Sequence, residues 1–120
     1  CPEGYDPDQG VLEAAGDCVE IVRAPKAAAE GADLITTDVW ASMGQEEEKA
    51  KRIAAFDGFS VDESLMEKAP KNTKVMHCLP AYRGYEISDG VMESENSIVF
   101  DQAENRLHFQ RALLKYLIAK

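Results

Sequence analysis

The chain is short of most features that would set it outside the ordinary globular class. No apolar run approaches the roughly 20 residues that a membrane helix needs. Cysteine is sparse: Cys1, Cys18 and Cys78 are odd in number, widely spaced and form no C-x-x-C. That pattern argues against both a disulfide framework and a zinc site. Basic residues are in deficit, with 13 Lys and Arg against 22 Asp and Glu and a net charge of −9. Nucleic acid and anionic membranes are therefore not expected as partners, because phosphate surfaces call for clustered Lys and Arg. No G-x-G-x-x-G follows a predicted strand, which argues against a nucleotide-binding Rossmann domain. No basic-then-apolar leader opens the sequence. Together with the unpaired cysteines this makes a reducing, cytoplasmic setting the expectation.

What is present suits one globular domain. The 120 residues suffice for one domain and not two, and 45% of them are hydrophobic. The sequence starts at Cys1 and not at Met, so the chain is expected to be a piece of a longer protein. Acidic runs such as Glu46-Glu47-Glu48 read as solvated helix surface.

Strands and helices alternate along the chain. Val11 to Ala15 reads as a short helix stopped at Gly16, and Cys18 to Val22 as a first strand, by its alternation and β-branched residues. Pro25 suits the first turn of a helix over Lys26 to Gly31. Ala32 to Trp40 reads as a second strand with a buried-type core at Leu34 to Thr37. Glu46 to Phe56 is a charged helix with a buried side at Ile53, Ala54 and Phe56, and Ser64 to Ala69 a shorter one ending before Pro70. Lys74 to Leu79 is a third strand, stopped by Pro80. A helical turn follows at Asp89 to Glu93, then a short fourth strand at Ser97 to Phe100. The last segment is a long helix. Asp101 is placed as its N-cap with Glu104 completing a capping box. Leu107, Leu114, Leu117 and Ile118 recur at helical spacing, and Lys115 and Lys120 complement its dipole. The alternation predicts an α/β fold: a parallel-sheet, Rossmann-like three-layer domain, truncated on its N-terminal side and ending in a long helix.

In open α/β sheets, ligands bind outside the carboxyl ends of the strands. Three exits meet there: Asp38 to Gly44, His77 to Arg83 and Asp101 to Arg106. Asp38 offers an acceptor-only carboxylate for an amine. Arg106 offers a permanent cation for carboxylate or phosphate. Cys78 could be a nucleophile or a soft hydrogen-bond partner. Each also has a plainer reading. A buried cysteine is usually a small hydrophobe, Asp38 could be a loop cap, and Arg106 could form a surface ion pair. His77 reads as a satisfied core histidine and His108 as an exposed one. The residues alone support an α/β domain with an anionic or zwitterionic ligand at its strand ends.

Three motifs, in order, resemble those of the ornithine carbamoyltransferases. Asp38-Val39-Trp40-Ala41-Ser42-Met43-Gly44 is similar to the family's ornithine-binding loop, and His77-Cys78-Leu79-Pro80 to its active-site cysteine motif. Ile98 to Arg106 is similar to the segment that brings in its last active-site arginine. The resemblance covers roughly Ala32 to the end. It implies carbamoyl transfer from carbamoyl phosphate to the side-chain amine of L-ornithine, giving citrulline and phosphate, with no cofactor and no metal. It also implies roles. Asp38 and Cys78 would face the amine, Ser42 and Met43 would bind the amino-acid end, and Leu79 and Arg106 would contact the carbamoyl side. A full-length homotrimer is implied as well.

Departures from the family pattern are clear. Tyr82 and Tyr85 stand where many relatives carry His, Arg or Glu. No Ser-x-Arg-Thr-Arg-like or His-Pro-x-Gln motif occurs, and the first strand of the ornithine domain is missing. Residues 1–120 are thus expected to be part of an ornithine-binding domain, without the carbamoyl-phosphate domain and inactive alone. The alternatives are a sister enzyme acting on putrescine or N-acetylornithine, and a non-catalytic amino-acid-binding module.

Overall fold

A computed structural model of the chain describes residues 1–41 and 48–118. The sheet at its centre is parallel. β1 (Leu34–Thr37) pairs with β2 (Lys74–His77) in the register Leu34 to Lys74 through Thr37 to His77. The ladder is started by Thr73, whose buried hydroxyl donates to the Ala32 carbonyl at 2.5 Å. On its other side β2 is bonded at Val75, whose N–H donates to Asn96 O and whose carbonyl accepts from Ile98 N–H. β2 is therefore central, with Val75 fully buried. β1 has no second partner among the described residues.

Helices follow the strands as the alternation predicts. α1 (Gln9–Ala15) is capped by the Asp8 carboxylate and ends at Gly16, whose φ of 56° suits glycine. α2 (Pro25–Ala29) starts at its proline. α3 (Lys49–Ala55) and α4 (Glu63–Met66) lie between the strands, with Asp62 capping α4 through the Leu65 N–H. On α3, Ile53 and Phe56 are half-buried as expected, whereas Ala54 is exposed. α5 (Asp89–Met92) is capped by Ser88. The 20-residue α6 (Val99–Ile118) closes the chain. The core gathers Val61, Leu65, Val75, Ile87, Val91, Met92 and Val99. Each such side chain contributes about 1.5–3 kcal/mol by leaving water. The parallel α/β class and the long terminal helix are as expected. No described helix is long and apolar enough to cross a membrane.

Three expectations need correction. Cys18 to Val22 is not a strand: Gly16–Cys18 is a 3-10 turn, and Val19 is extended without a ladder. Its alternation supplies strand dihedrals, but a strand also needs a neighbour to bond. The fourth strand shrinks to one bridge, Ser97 to Val75, because α6 already begins at Val99. A short apolar run such as Ile98-Val99-Phe100 suits a strand and a buried helix start equally well. Asp101 consequently sits in the first turn of α6 and is not its N-cap; the Ile98 carbonyl accepts the first bond, from Gln102.

Two apolar surfaces lack cover among the described residues. A groove of about 560 Å³ runs along β1 and is lined by Leu34, Ile35, Phe56, Phe59 and Val61 among others. On α6, Leu107, Phe109, Leu114, Tyr116, Leu117 and Ile118 are all exposed. Lys115 lies in its last turn, whereas Lys120 is outside the described residues. An open strand edge and a broad apolar helix face both promote association. The 120-residue chain alone should thus sediment as concentration-dependent oligomers, and Leu114→Asp with Leu117→Asp should shift it towards monomer. An ideal monomer at every concentration in sedimentation velocity would contradict this.

Candidate functional site

The site is built where the ladder stops. β1 delivers Asp38 and β2 delivers Cys78, one residue past the paired Thr37 and His77. The Cys78 thiol donates to Asp38 Oδ1 at 3.0 Å. The same carboxylate oxygen accepts from Val39 N–H at 2.7 Å, which fixes its direction. Arg106, two turns into α6, donates from Nη1 to the Cys78 carbonyl at 3.0 Å. Asp38, Cys78 and Arg106 were expected on separate exits, and all three meet at one residue. Ser42 and Met43 lie outside the described residues.

Electrostatics keep the thiol protonated. The hydrogen bond to Asp38, burial and the Asp38 charge push the Cys78 thiol upward, against a smaller opposing pull from Arg106. A thiol held in its protonated form is a poor nucleophile and a usable hydrogen-bond donor. Cys78 is half-buried and hydrogen-bonded, so it is not the fully enclosed small hydrophobe of the plainer reading.

Beneath it lies a buried pair. His77 is 1% exposed and Glu86 is 1% exposed. Leu79 N–H donates to His77 Nδ1 at 2.8 Å. A backbone N–H can only donate, so Nδ1 accepts and the ring proton sits on Nε2, which faces Glu86 Oε1 at 3.0 Å. That oxygen also accepts from Tyr82 N–H at 2.6 Å. His77 is thus a satisfied core histidine, as expected. It pins the loop after Cys78 at both ends. Leu79 turns that loop with φ at 54°, a conformation costing a non-glycine residue about 1–2 kcal/mol, and its peptide to Pro80 is cis. His108 is exposed and pairs with Glu104, one turn away.

The ligand atoms of Asp38, His77 and Cys78 lie within 4.8 Å of one another, close enough for a metal ion. The set does not fit one, because both His77 nitrogens are already committed inside the fold. A zinc or similar ion needs a free imidazole lone pair.

Sequence reasoning missed Glu86 and the rings around Trp40. Trp40 stacks on Phe56 at 5.9 Å and meets Tyr85 edge-on at 6.1 Å. Tyr85 meets Tyr82 at 6.5 Å, and Lys49 Nζ lies 5.2 Å from the Tyr82 ring centre. Glu86 lacks a local signal, since its partner is nine residues away across a turn. The aromatic residues could have been suspected from their placement after two successive strands.

Comparison with known proteins bears on this geometry. Residues 1–117 match the model of the aspartate/ornithine carbamoyltransferase Asp/Orn-binding domain. The ornithine carbamoyltransferase of Hydrogenovibrio crunogenus is 56% identical over 119 residues, covering 99% of this chain and 39% of that protein. The solved ornithine carbamoyltransferase from Pyrococcus furiosus superposes with a TM-score of 0.85 at 47% identity, over 95% of this chain and 39% of that one. An N-acetyl-L-ornithine transcarbamylase is more distant, at 35% identity and a TM-score of 0.67 over 80% of this chain and 30% of its own. The chain therefore spans about 39% of the length of the first two relatives. With a match running from residue 1 to residue 117, the chain belongs to the aspartate/ornithine carbamoyltransferase Asp/Orn-binding domain family.

Proposed function

We propose that this chain supplies the amine-binding side of an ornithine carbamoyltransferase. In this reading it is part of the ornithine-binding domain, and the carbamoyl-phosphate domain lies in the remainder of a longer protein. The reaction joins the ornithine side-chain nitrogen to the carbamoyl carbon. The carbon–oxygen bond to phosphate breaks, phosphate departs, the amine loses a proton, and citrulline results. The observation that carries the proposal is the meeting of Asp38, Cys78 and Arg106 at one strand exit, with thiol to carboxylate at 3.0 Å and guanidinium to the Cys78 carbonyl at 3.0 Å.

The chemistry suits these groups. An alkyl amine like that of Lys has a pKa near 10.4, so reaching the neutral, attacking form at pH 7 costs about 4–5 kcal/mol. Asp38 attracts the ammonium on binding and can accept a hydrogen bond from the amine as it loses its proton. Cys78, kept protonated, orients the nitrogen and forms no covalent intermediate, since the carbamoyl group arrives already activated. Arg106 offers charge to the departing phosphate side, the kind of stabilisation that acts on the transition state. Leu79 would present its backbone carbonyl to the carbamoyl group. Ser42 and Met43 would hold the amino-acid end, a role that rests on motif resemblance alone. A homotrimer in the cytoplasm completes the proposal, again by resemblance. Identities of 52–56% to proteins named ornithine carbamoyltransferase support free ornithine as the amine.

Four outcomes follow for the full-length protein. Steady-state rates should favour ornithine over putrescine and N-acetylornithine; a preference for either of the others would overturn the substrate assignment. Cys78→Ala should lower kcat by about ten- to a hundredfold, the worth of one hydrogen bond to a charged partner. Intact mass measured during turnover should show no enzyme adduct. Because Asp38 raises the Cys78 thiol, alkylation of Cys78 should begin at higher pH than for an ordinary thiol, and Asp38→Asn should move it to lower pH. Peptide-resolved mass spectrometry across a pH series reads this directly.

A further inference from the structure

The rings around Trp40 support an inference about how Asp38 stays on Cys78. It rests on the proposed carbamoyl transfer for one of its two readouts only. The β1–β2 ladder ends at Thr37 and His77. Beyond it, Asp38 and Cys78 touch through a single thiol–carboxylate hydrogen bond. Asp38 is exposed, and one such bond open to water does not hold two departing segments in register.

The rings provide the missing tie. Trp40 lies two residues after Asp38, and Tyr82 lies four after Cys78. Tyr85 bridges them, at 6.1 Å and 69° from Trp40 and at 6.5 Å and 75° from Tyr82. Both are edge-to-face arrangements that aromatic quadrupoles favour. Lys49, at the start of α3, lies over the Tyr82 ring at 5.2 Å, so the start of α3 is also tied to it. Arg52 donates to the Trp40 carbonyl at 3.4 Å and holds that residue from α3. We propose that Tyr82 and Tyr85 are positioning residues whose rings, gripping Trp40 and Lys49, hold Asp38 against the Cys78 thiol.

The space among these rings is about 20 Å³, too small for an organic ligand, so the cluster grips and does not bind. Among the described residues, neither tyrosine hydroxyl forms a hydrogen bond. The ring faces and edges carry the effect, and phenylalanine should replace tyrosine at either position.

The test uses the full-length protein with Tyr82→Ala, Tyr82→Phe, Tyr85→Ala and Tyr85→Phe. The first readout is the pH midpoint of Cys78 alkylation by iodoacetamide, resolved by peptide mass spectrometry. The charged and titratable groups near Cys78 are the Asp38 carboxylate, the Arg106 guanidinium and the His77 ring. Both alanine variants should move the midpoint to lower pH, in the direction of Asp38→Asn, while both phenylalanine variants keep the parent value. The second readout is citrulline formation, in which kcat should fall about tenfold for the alanine variants, as small displacements of reacting groups do. An alanine variant with the parent midpoint, or a phenylalanine variant as impaired as its alanine counterpart, overturns the proposal. If Tyr85→Ala does not fold, the pair at half-exposed Tyr82 decides it. A parent protein that makes no citrulline would sink the functional reading alone, because alkylation needs no turnover.

Discussion

The hydrogen bond between His77 and Glu86 is the constraint on which the site depends. Both side chains are withdrawn from water, and Glu86 uses one oxygen for both the imidazole and the Tyr82 N–H. Removing one member would strand the other in a poorly solvating interior, which is far more damaging than losing a surface pair. The pair also sets where the chain goes after β2. With Nδ1 taken by Leu79 N–H and Nε2 by Glu86, the imidazole gathers the start and the end of the loop around itself. Leu79 is thereby held in a conformation that leucine avoids, and the Cys78 carbonyl is left in reach of Arg106. The bridge between Val61 and Ile87 locks the far side, with Val61 N–H bonded to the Glu86 carbonyl.

Much of this was legible in the residues, for reasons that differ from element to element. Pro80 marked the end of β2, and Gly16 and Pro25 marked helix ends, because their backbone restrictions act locally. The exits of β1 and β2 were legible too, and with them the meeting of Asp38 and Cys78, whereas Arg106 arrives from inside α6 and not from a strand exit. What failed depended on partners distant in sequence. Cys18 to Val22 has the dihedral preferences of a strand, yet a ladder also requires a neighbouring chain. Ile98-Val99-Phe100 could begin a helix or form a strand, and Val75 decides by taking the peptide groups on either side of Ser97 into a bridge. Glu86 was invisible for a similar reason, since one acidic residue among 22 Asp and Glu carries no mark of its burial. His77 was readable as a core residue, but not the tautomer that its backbone neighbour imposes.

The uncovered surfaces fit the fraction of the family's length that this chain spans. The groove beside β1 exposes apolar side chains next to backbone that has no second partner among the described residues, which is the local environment of a strand awaiting a neighbour. Most of the exposed apolar residues of α6 lie beyond the part that reaches the sheet, so Arg106 is delivered by a helix that is packed in its first turn, at Val99 and Gln102, and exposed after it.

The central place of β2 grades the site by how easily each part opens. β2 is paired with β1 on one flank and with residues 96–98 on the other, and Val75 at its middle has no exposed surface, so its peptide groups belong to the portion that unfolds last. Cys78 is carried by that portion. Among the described residues Asp38 comes from a strand bonded on one flank, and Arg106 from a helix anchored near one end. The thiol is then the fixed reference of the site, while the carboxylate and the guanidinium can separate from it at a fraction of the free energy needed to unfold the domain. Amide exchange would record this as a gradient running outward from one strand, with the reacting groups placed at different heights along it.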